Sequence, residues 1–244
     1  MTTDPLPDVL RALEGQLVVS CQAYPGEPMR SPQIMAAVAL AVVQGGARAV
    51  RAQGIDDLRA IRPLVDVPLI GLVKRGDSGV FITPTVDDAV ACAAAGADVV
   101  ALDGTPRDRP DGRPLRDSVE AVHRAGALVM ADCGSLGDAL HSVAAGADCV
   151  GTTLAGYTGE RPATVGPDLE LLAQLATTLT LPVIAEGRVR HPDDAAACLA
   201  AGAYAVVVGT AITHPTRITR SFIDHLDATR RPHREPVDSG AENA

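Results

Sequence analysis

A three-residue phrase, Ala or Gly followed by Gly-Ala, occurs five times, each time ahead of a short apolar run: Gly45-Gly46-Ala47, Ala95-Gly96-Ala97, Ala125-Gly126-Ala127, Ala145-Gly146-Ala147 and Ala201-Gly202-Ala203. A glycine in that place supplies the left-handed turn that ends a helix, and the small alanine lets the chain turn back toward a sheet. The runs that follow, such as Val99-Val100-Ala101-Leu102 and Ala205-Val206-Val207-Val208, have the near-continuous hydrophobicity of strands covered on both faces. A helix-to-strand joint used repeatedly restricts the chain to parallel strands alternating with helices.

Strands are predicted at 17–20, 49–51, 69–73, 99–102, 128–131, 149–152, 183–185 and 205–208. Between and after them, helix-compatible segments fall at 34–44, 56–63, 86–95, 115–125, 136–145, 169–178, 192–201 and 216–229. Eight strand-helix units favour closure into a single (β/α)8 TIM barrel over an open doubly wound sheet, and no G-x-G-x-x-G phrase follows the first strand. The barrel domain is expected over 1–230, with a polar, Pro- and Gly-bearing tail at 231–244 whose composition predicts disorder. A composition that is 47% hydrophobic but only 2% aromatic, without Trp, requires an aliphatic core, as a layered parallel barrel has. The extended run at 80–85 reads as a loop inserted beside the active site.

The formal net charge of −9 argues against nucleic acid and anionic membranes as partners and leaves a small anionic ligand held by local arginines. Five cysteines, odd in number and without C-x-x-C spacing, signal neither a disulfide framework nor a structural zinc site. Cys21 and Cys133 flank the strand exits and read as small buried hydrophobes. His123, His141, His191 and His225 sit on or beside helices without ligand spacing, so no metal is expected. Residues 1–8 lack the pattern of a secretion signal, and no stretch approaches the ~18 apolar residues of a membrane span. The expectation is a soluble cytoplasmic protein.

In this fold, chemistry is carried at the C-terminal ends of the strands. The eight exits read Ser20-Cys21-Gln22, Arg51, Lys74-Arg75, Asp103, Asp132, Thr152-Thr153, Glu186-Gly187-Arg188 and Gly209-Thr210. A polar residue at any one exit can simply mark where a strand meets water, and Asp103 and Thr152 admit that reading as readily as a functional one. Lys74 and Glu186 each follow a wholly apolar strand, the third and the seventh, which lie opposite one another in an eight-strand ring. Two proton-transfer groups on opposite sides of one carbon are what inversion by epimerisation requires. A lysine acts as base only when its pKa falls well below ~10.4, through burial or a neighbouring cation such as Arg51 or Arg75. The glycines of Glu186-Gly187-Arg188 and Val208-Gly209-Thr210 suit a phosphate held by backbone N–H groups after the last two strands.

Several segments together carry a resemblance: Val19-Ser20-Cys21-Gln22-Ala23, Gly71-Leu72-Val73-Lys74-Arg75, Phe81-Ile82-Thr83-Pro84-Thr85, Ala101-Leu102-Asp103, Met130-Ala131-Asp132, Gly151-Thr152-Thr153-Leu154-Ala155-Gly156-Tyr157-Thr158, Ala185-Glu186-Gly187-Arg188 and Val208-Gly209-Thr210-Ala211-Ile212-Thr213. In that order, from about residue 13 to 222, the chain resembles the N-acetylmannosamine-6-phosphate 2-epimerases. The resemblance implies a (β/α)8 barrel, typically a homodimer and needing no cofactor, that interconverts N-acetylmannosamine 6-phosphate and N-acetylglucosamine 6-phosphate in sialic acid catabolism. It makes Lys74 and Glu186 the catalytic pair, brings Gln22, Arg51 and Asp132 to the sugar, and puts Gly187, Arg188, Gly209 and Thr210 near the phosphate. Thr153, at the sixth exit, joins the substrate-binding set. His214 stands where the family usually carries a substrate-holding arginine, replacing a permanent cation with a titratable ring. Two other functions fit the same residues: a Schiff-base aldolase or synthase using Lys74 as nucleophile, and a barrel that binds a sugar phosphate without turning it over.

Overall fold

All five glycine-alanine joints close in the same way in the computed structural model, which describes residues 6–229. At the second of them Gly96 has φ of 99°, its N–H bonds to Ala93 O at 3.0 Å, and the Ala97 N–H bonds to Cys92 O at 3.3 Å. That pair of bonds satisfies helix-end carbonyls. The next amide then enters the sheet: Asp98 N–H donates to Leu69 O at 2.9 Å, Leu128 N–H to Asp98 O at 3.0 Å, and Asp148 N–H to Val129 O at 3.0 Å. The same three residues that end a helix therefore also set the register of the following strand.

The strands are β1 (Leu17–Cys21), β2 (Ala49–Gln53), β3 (Leu69–Leu72), β4 (Val99–Asp103), β5 (Leu128–Asp132), β6 (Cys149–Gly151), β7 (Val183–Glu186) and β8 (Ala205–Val208). Neighbours pair in parallel and β8 returns to β1, closing the eight-strand barrel expected from the sequence. Its helices include α2 (Pro32–Gln44), α3 (Ile55–Ile61), α4 (Val86–Ala94), α5 (Leu115–Arg124), α6 (Leu136–Ala145), α7 (Leu169–Thr178) and α8 (Pro192–Ala200). Three further helices are α1 (Asp8–Arg11), α9 (Thr210–Thr213) and α10 (Pro215–Thr229). The first two of these three were not anticipated, because four residues are too few to show a helical period.

Alternation along each strand divides the apolar residues into two cores. Val19, Val50, Val100, Leu102, Val129 and Val206 face outward onto the helices. Val18, Ala49, Ile70, Leu72, Met130 and Ile184 fill the interior, which Leu10 and Leu13, both fully buried, close from below. Arg51, Asp132 and Glu186 belong to the inward phase, two residues beyond Ala49, Met130 and Ile184. The sequence had suggested that β2 stops at Arg51 and that β5 and β7 stop before their acidic residues. Pairing instead carries β2 to Gln53, β5 to Asp132 and β7 to Glu186, so these charged groups are held by the sheet itself.

The segment at 80–85 folds back on the exit of β3. Lys74 and Ile82 form an antiparallel bridge, flanked by bonds from Thr83 N–H to Val73 O at 2.8 Å and from Arg75 N–H to Phe81 O at 3.0 Å. Ile82, 2% exposed, joins the barrel interior. The loop thus fixes the backbone of Lys74. All five cysteines are free and buried, and burial pushes the Cys21 thiol up to about 12, which suits inert packing. Among the described residues no helix is long and apolar enough to cross a membrane. The tail at 231–244 lies outside the described residues.

Candidate active site

The charged groups at the C-terminal end of the barrel meet around one guanidinium. Arg51, 1% exposed, reaches from β2 across the interior to a fully buried Asp132. Its Nη1 donates to Oδ1 at 3.1 Å and its Nη2 to Oδ2 at 2.7 Å. Nη1 also lies 2.9 Å from Glu186 Oε2, on β7. Burial opposes the charge on Arg51, but the carboxylates of Asp132 and Glu186 outweigh it and raise its pKa. Thr153 donates to Asp132 Oδ1 at 2.6 Å, so both oxygens of Asp132 are engaged and its carboxylate orients Arg51 from beneath.

Glu186 keeps 14% of its side chain exposed. Its carboxyl is pushed up to about 7, first by burial and further by Asp132, against the opposing pull of Arg51 and Lys74. Thr152 fixes the backbone here: its hydroxyl donates to Glu186 O at 2.9 Å and accepts the Glu186 N–H at 3.0 Å. Of the two readings open for Thr152, the structure supports a clip between β6 and β7.

Lys74 is the only lysine in the chain. Its Nζ donates to Gln22 Oε1 at 3.0 Å, and Gln22 Nε2 donates to Ser20 Oγ at 2.8 Å. Burial, then the charge of Arg51, lowers its pKa, while Glu186 and Asp132 act in the other direction. Arg75 is not the neighbouring cation: it points to Asp88, with Nε 2.7 Å from Oδ1, and is two-thirds exposed. Lysine lowered and glutamate raised bring two acid-base groups toward each other in proton affinity, the condition for moving one proton in either direction.

The remaining predicted positions are engaged differently. Arg188, in the left-handed region with φ of 57°, donates to Ala155 O at 2.8 Å, Gly166 O at 3.0 Å and Thr164 Oγ1 at 3.0 Å. It thereby holds the loop after β6. Gly187 beside it has φ of 115°, and Gly209 precedes the first turn of α9, which begins at Thr210. A Cβ on Gly209 would lie 3.2 Å from that of Ser20, and Thr213 Oγ1 donates to Ser20 O at 2.7 Å. Glycine and the threonine bond therefore seat α9 tightly on β1. Asp103 accepts from Thr105 Oγ1 at 2.6 Å and Arg107 Nη2 at 2.8 Å, which assigns it to the 104–114 loop. His214, 6% exposed, lies against Glu27 with 2.9 Å between Nε2 and Oε1.

Among the described residues no group of His, Cys, Asp and Glu could hold a metal ion. Clefts of about 360 Å³ lie beside Arg62 and Asp98 and beside Arg107 and Arg109, away from Lys74 and Glu186. Ser20 stands among the strand exits without a role of its own in the sequence, and Tyr24 and Glu27 are not among them. Ser20 was legible through its alternation with Val18, and the other two through the turn signature Tyr24-Pro25-Gly26-Glu27.

A family model described as "putative N-acetylmannosamine-6-phosphate epimerase" matches residues 35–228. A protein of Cutibacterium acnes described as a putative N-acetylmannosamine-6-phosphate 2-epimerase is 56% identical over 221 residues, covering 89% of this chain and 96% of the relative. One of Clostridium perfringens strain SM101 with the same description is 44% identical over 220 residues, covering 89% and 100%. The solved structure of an N-acetylmannosamine-6-phosphate 2-epimerase from Clostridium perfringens superposes with a TM-score of 0.87 at 40% identity, over 92% of this chain and 99% of the other. A thiamine phosphate pyrophosphorylase from Pyrococcus furiosus, at 21% identity and a TM-score of 0.56 over 90% of this chain and 99% of the other, shares the fold. On the extent of these matches, the chain belongs to the N-acetylmannosamine-6-phosphate epimerase family.

Proposed function

We propose that this protein inverts C2 of an N-acyl hexosamine 6-phosphate, interconverting N-acetylmannosamine 6-phosphate and N-acetylglucosamine 6-phosphate without a cofactor. The observation that carries the reading is that Lys74, just beyond β3, and Glu186, at the end of β7, stand on opposite sides of one closed ring, with Arg51 2.9 Å from Glu186. In the open-chain sugar the C2 hydrogen is α to the aldehyde, so its removal leaves an enediolate whose charge rests on oxygen. One of the two groups takes the proton from one face and the other returns a proton to the opposite face. Arg51, oriented by Asp132 and Thr153, supplies fixed positive charge where the oxyanion develops, and Gln22 aligns the Lys74 amine. The glycine turns at Gly187 and Gly209 and the first turn of α9 at Thr210 form the phosphate end, with Arg188 holding the adjoining loop in place.

Amino sugar breakdown in the cytoplasm is part of this reading. A homodimer is part of the same reading, supported by α10: it has no buried residue and exposes Phe222 and Ile223 at 68% and 51%. One observation also favours imine chemistry, since the burial that lowers Lys74 would equally ready it as a nucleophile.

A single experiment separates these. With N-acetylmannosamine 6-phosphate in D2O, NMR is expected to show the epimer forming with deuterium at C2, and Lys74→Ala and Glu186→Gln each to stop it. Wild-type exchange in either variant would refute the assignment, and a borohydride-trapped adduct on Lys74 would establish the imine instead.

A further inference from the structure

The chain has only three Tyr and two Phe, and two of the tyrosines lie over cations at the barrel mouth. The centre of the Tyr157 ring is 5.6 Å from Arg188 Cζ, and that of Tyr24 is 5.5 Å from Lys74 Nζ. Tyr24 is 44% exposed, yet it is tied down at several points. Pro25 and Gly26, the latter with φ of 85°, occupy the middle of a turn closed by the Glu27 N–H on Tyr24 O at 3.1 Å, the residue pattern of a type II turn.

The carboxylate of Glu27 is used twice. Oε2 accepts the Tyr24 N–H at 2.8 Å, and Oε1 lies 2.9 Å from Nε2 of the buried His214. The His214 ring sits 5.7 Å from that of Tyr24, tilted by 46°, and its Nδ1 accepts the Arg217 N–H at 3.4 Å. Nε2 and the carboxylate oxygen are close neighbours without a hydrogen bond between them. The contacts run without a gap from α10 through His214 and Glu27 to the ring beside the amine.

We propose that Glu27 and His214 form a clasp that holds the Tyr24 ring over Lys74, making Tyr24 a positioning residue for the reacting amine. The inference rests on the acid-base role of Lys74 given above. A lysine has four side-chain torsions to fix, and Gln22 supplies one directional bond. The face of an aromatic ring restrains the ammonium from a second side and keeps water from it. His214 thus acts through Glu27 and Tyr24, and its ring faces the turn.

Because Lys74 is the sole lysine, protein labelled with [ε-13C]lysine gives one ε-methylene signal that requires no activity to read. The ring is expected to displace that signal upfield. Tyr24→Phe should keep the displacement, Tyr24→Ala should abolish it, and Glu27→Gln and His214→Ala should each reduce it. In the D2O assay Tyr24→Ala should lower kcat by about tenfold with little change in KM, as a small misplacement of a reacting group does. Tyr24→Phe should retain wild-type kcat, and His214→Ala should add nothing in the Tyr24→Ala background, since the two act as a unit. Coincident signals in the wild type and Tyr24→Ala overturn the proposal. So does a His214→Ala variant whose signal stays in place while KM alone rises for the phosphorylated sugar. Full exchange by Lys74→Ala would defeat the acid-base reading and leave the NMR result on the clasp standing by itself.

Discussion

The two ends of the barrel interior are built from the same strands and their exits, and their chemistry is opposed. At the N-terminal end Val18, Ala49, Ile70 and Ile184 pack beneath the fully buried Leu10 and Leu13. At the C-terminal end the same inward phase presents Ser20, Arg51, Lys74 and Glu186, and buried Arg51 Nε has no hydrogen-bond partner among the described residues. Apolar burial stabilises without direction, whereas buried charge is tolerated only when paired and oriented. The lower end therefore holds the fold together, and the upper end gathers buried charges that are held by pairing.

The sharpest test of this division is at the top. Lys74→Ala and Glu186→Gln are each expected to lower turnover by about 10²–10⁴-fold while leaving the thermal midpoint close to wild type; a large fall in both would blur the two roles. Asp132→Asn should affect both, because it leaves the buried Arg51 charge partly uncompensated: a loss of about 3–5 kcal/mol in urea titration, together with most of the activity. At the bottom, Leu13→Ala should cost about 2–5 kcal/mol through the cavity it opens, with kcat unchanged.

The joints between helix and strand lie outside both regions and carry a smaller effect. Gly96→Ala forces alanine to a φ of 99° and brings its Cβ to 2.8 Å from Arg62 Cγ, with an expected loss of about 1–2 kcal/mol by chemical denaturation. A further effect is one of slope. Burial raises the Glu186 carboxyl from 4.5 to about 7, so the native state binds its proton more tightly than the unfolded chain does. Its contribution to stability is present below pH 4.5 and is lost as pH rises through about 7. Glu186→Gln should flatten that decline, whereas Leu13→Ala should shift stability with the slope intact.

The barrel was legible because its joints are local. Gly96 and Ala97 end a helix whatever lies elsewhere, and the apolar runs after them have the length of strands. Lys74 and Glu186 were legible as polar residues after apolar strands. The partners of these residues were less so: Asp103 and Arg51 look alike as strand exits, yet Asp103 bonds to its own loop and Arg51 reaches across the barrel to Asp132. Strand parity could have drawn Ser20 into the site. It could not have shown that Arg188 is taken up by the loop at 155–166, since that depends on a left-handed turn after Gly187.

The amino-acid sequence by itself determined the repeated strand-helix unit, the inward phase of the charged residues and the chemical types gathered at one end, all of which follow from spacing along a few residues. Only the tertiary structure decided that Arg51 lies between Asp132 and Glu186, that burial lowers Lys74 as it raises Glu186, and that His214 faces Glu27 beside Tyr24. Ring closure brings residues far apart in the chain within a few ångströms in a low-dielectric interior, where a charge responds to its distance from other charges and from water.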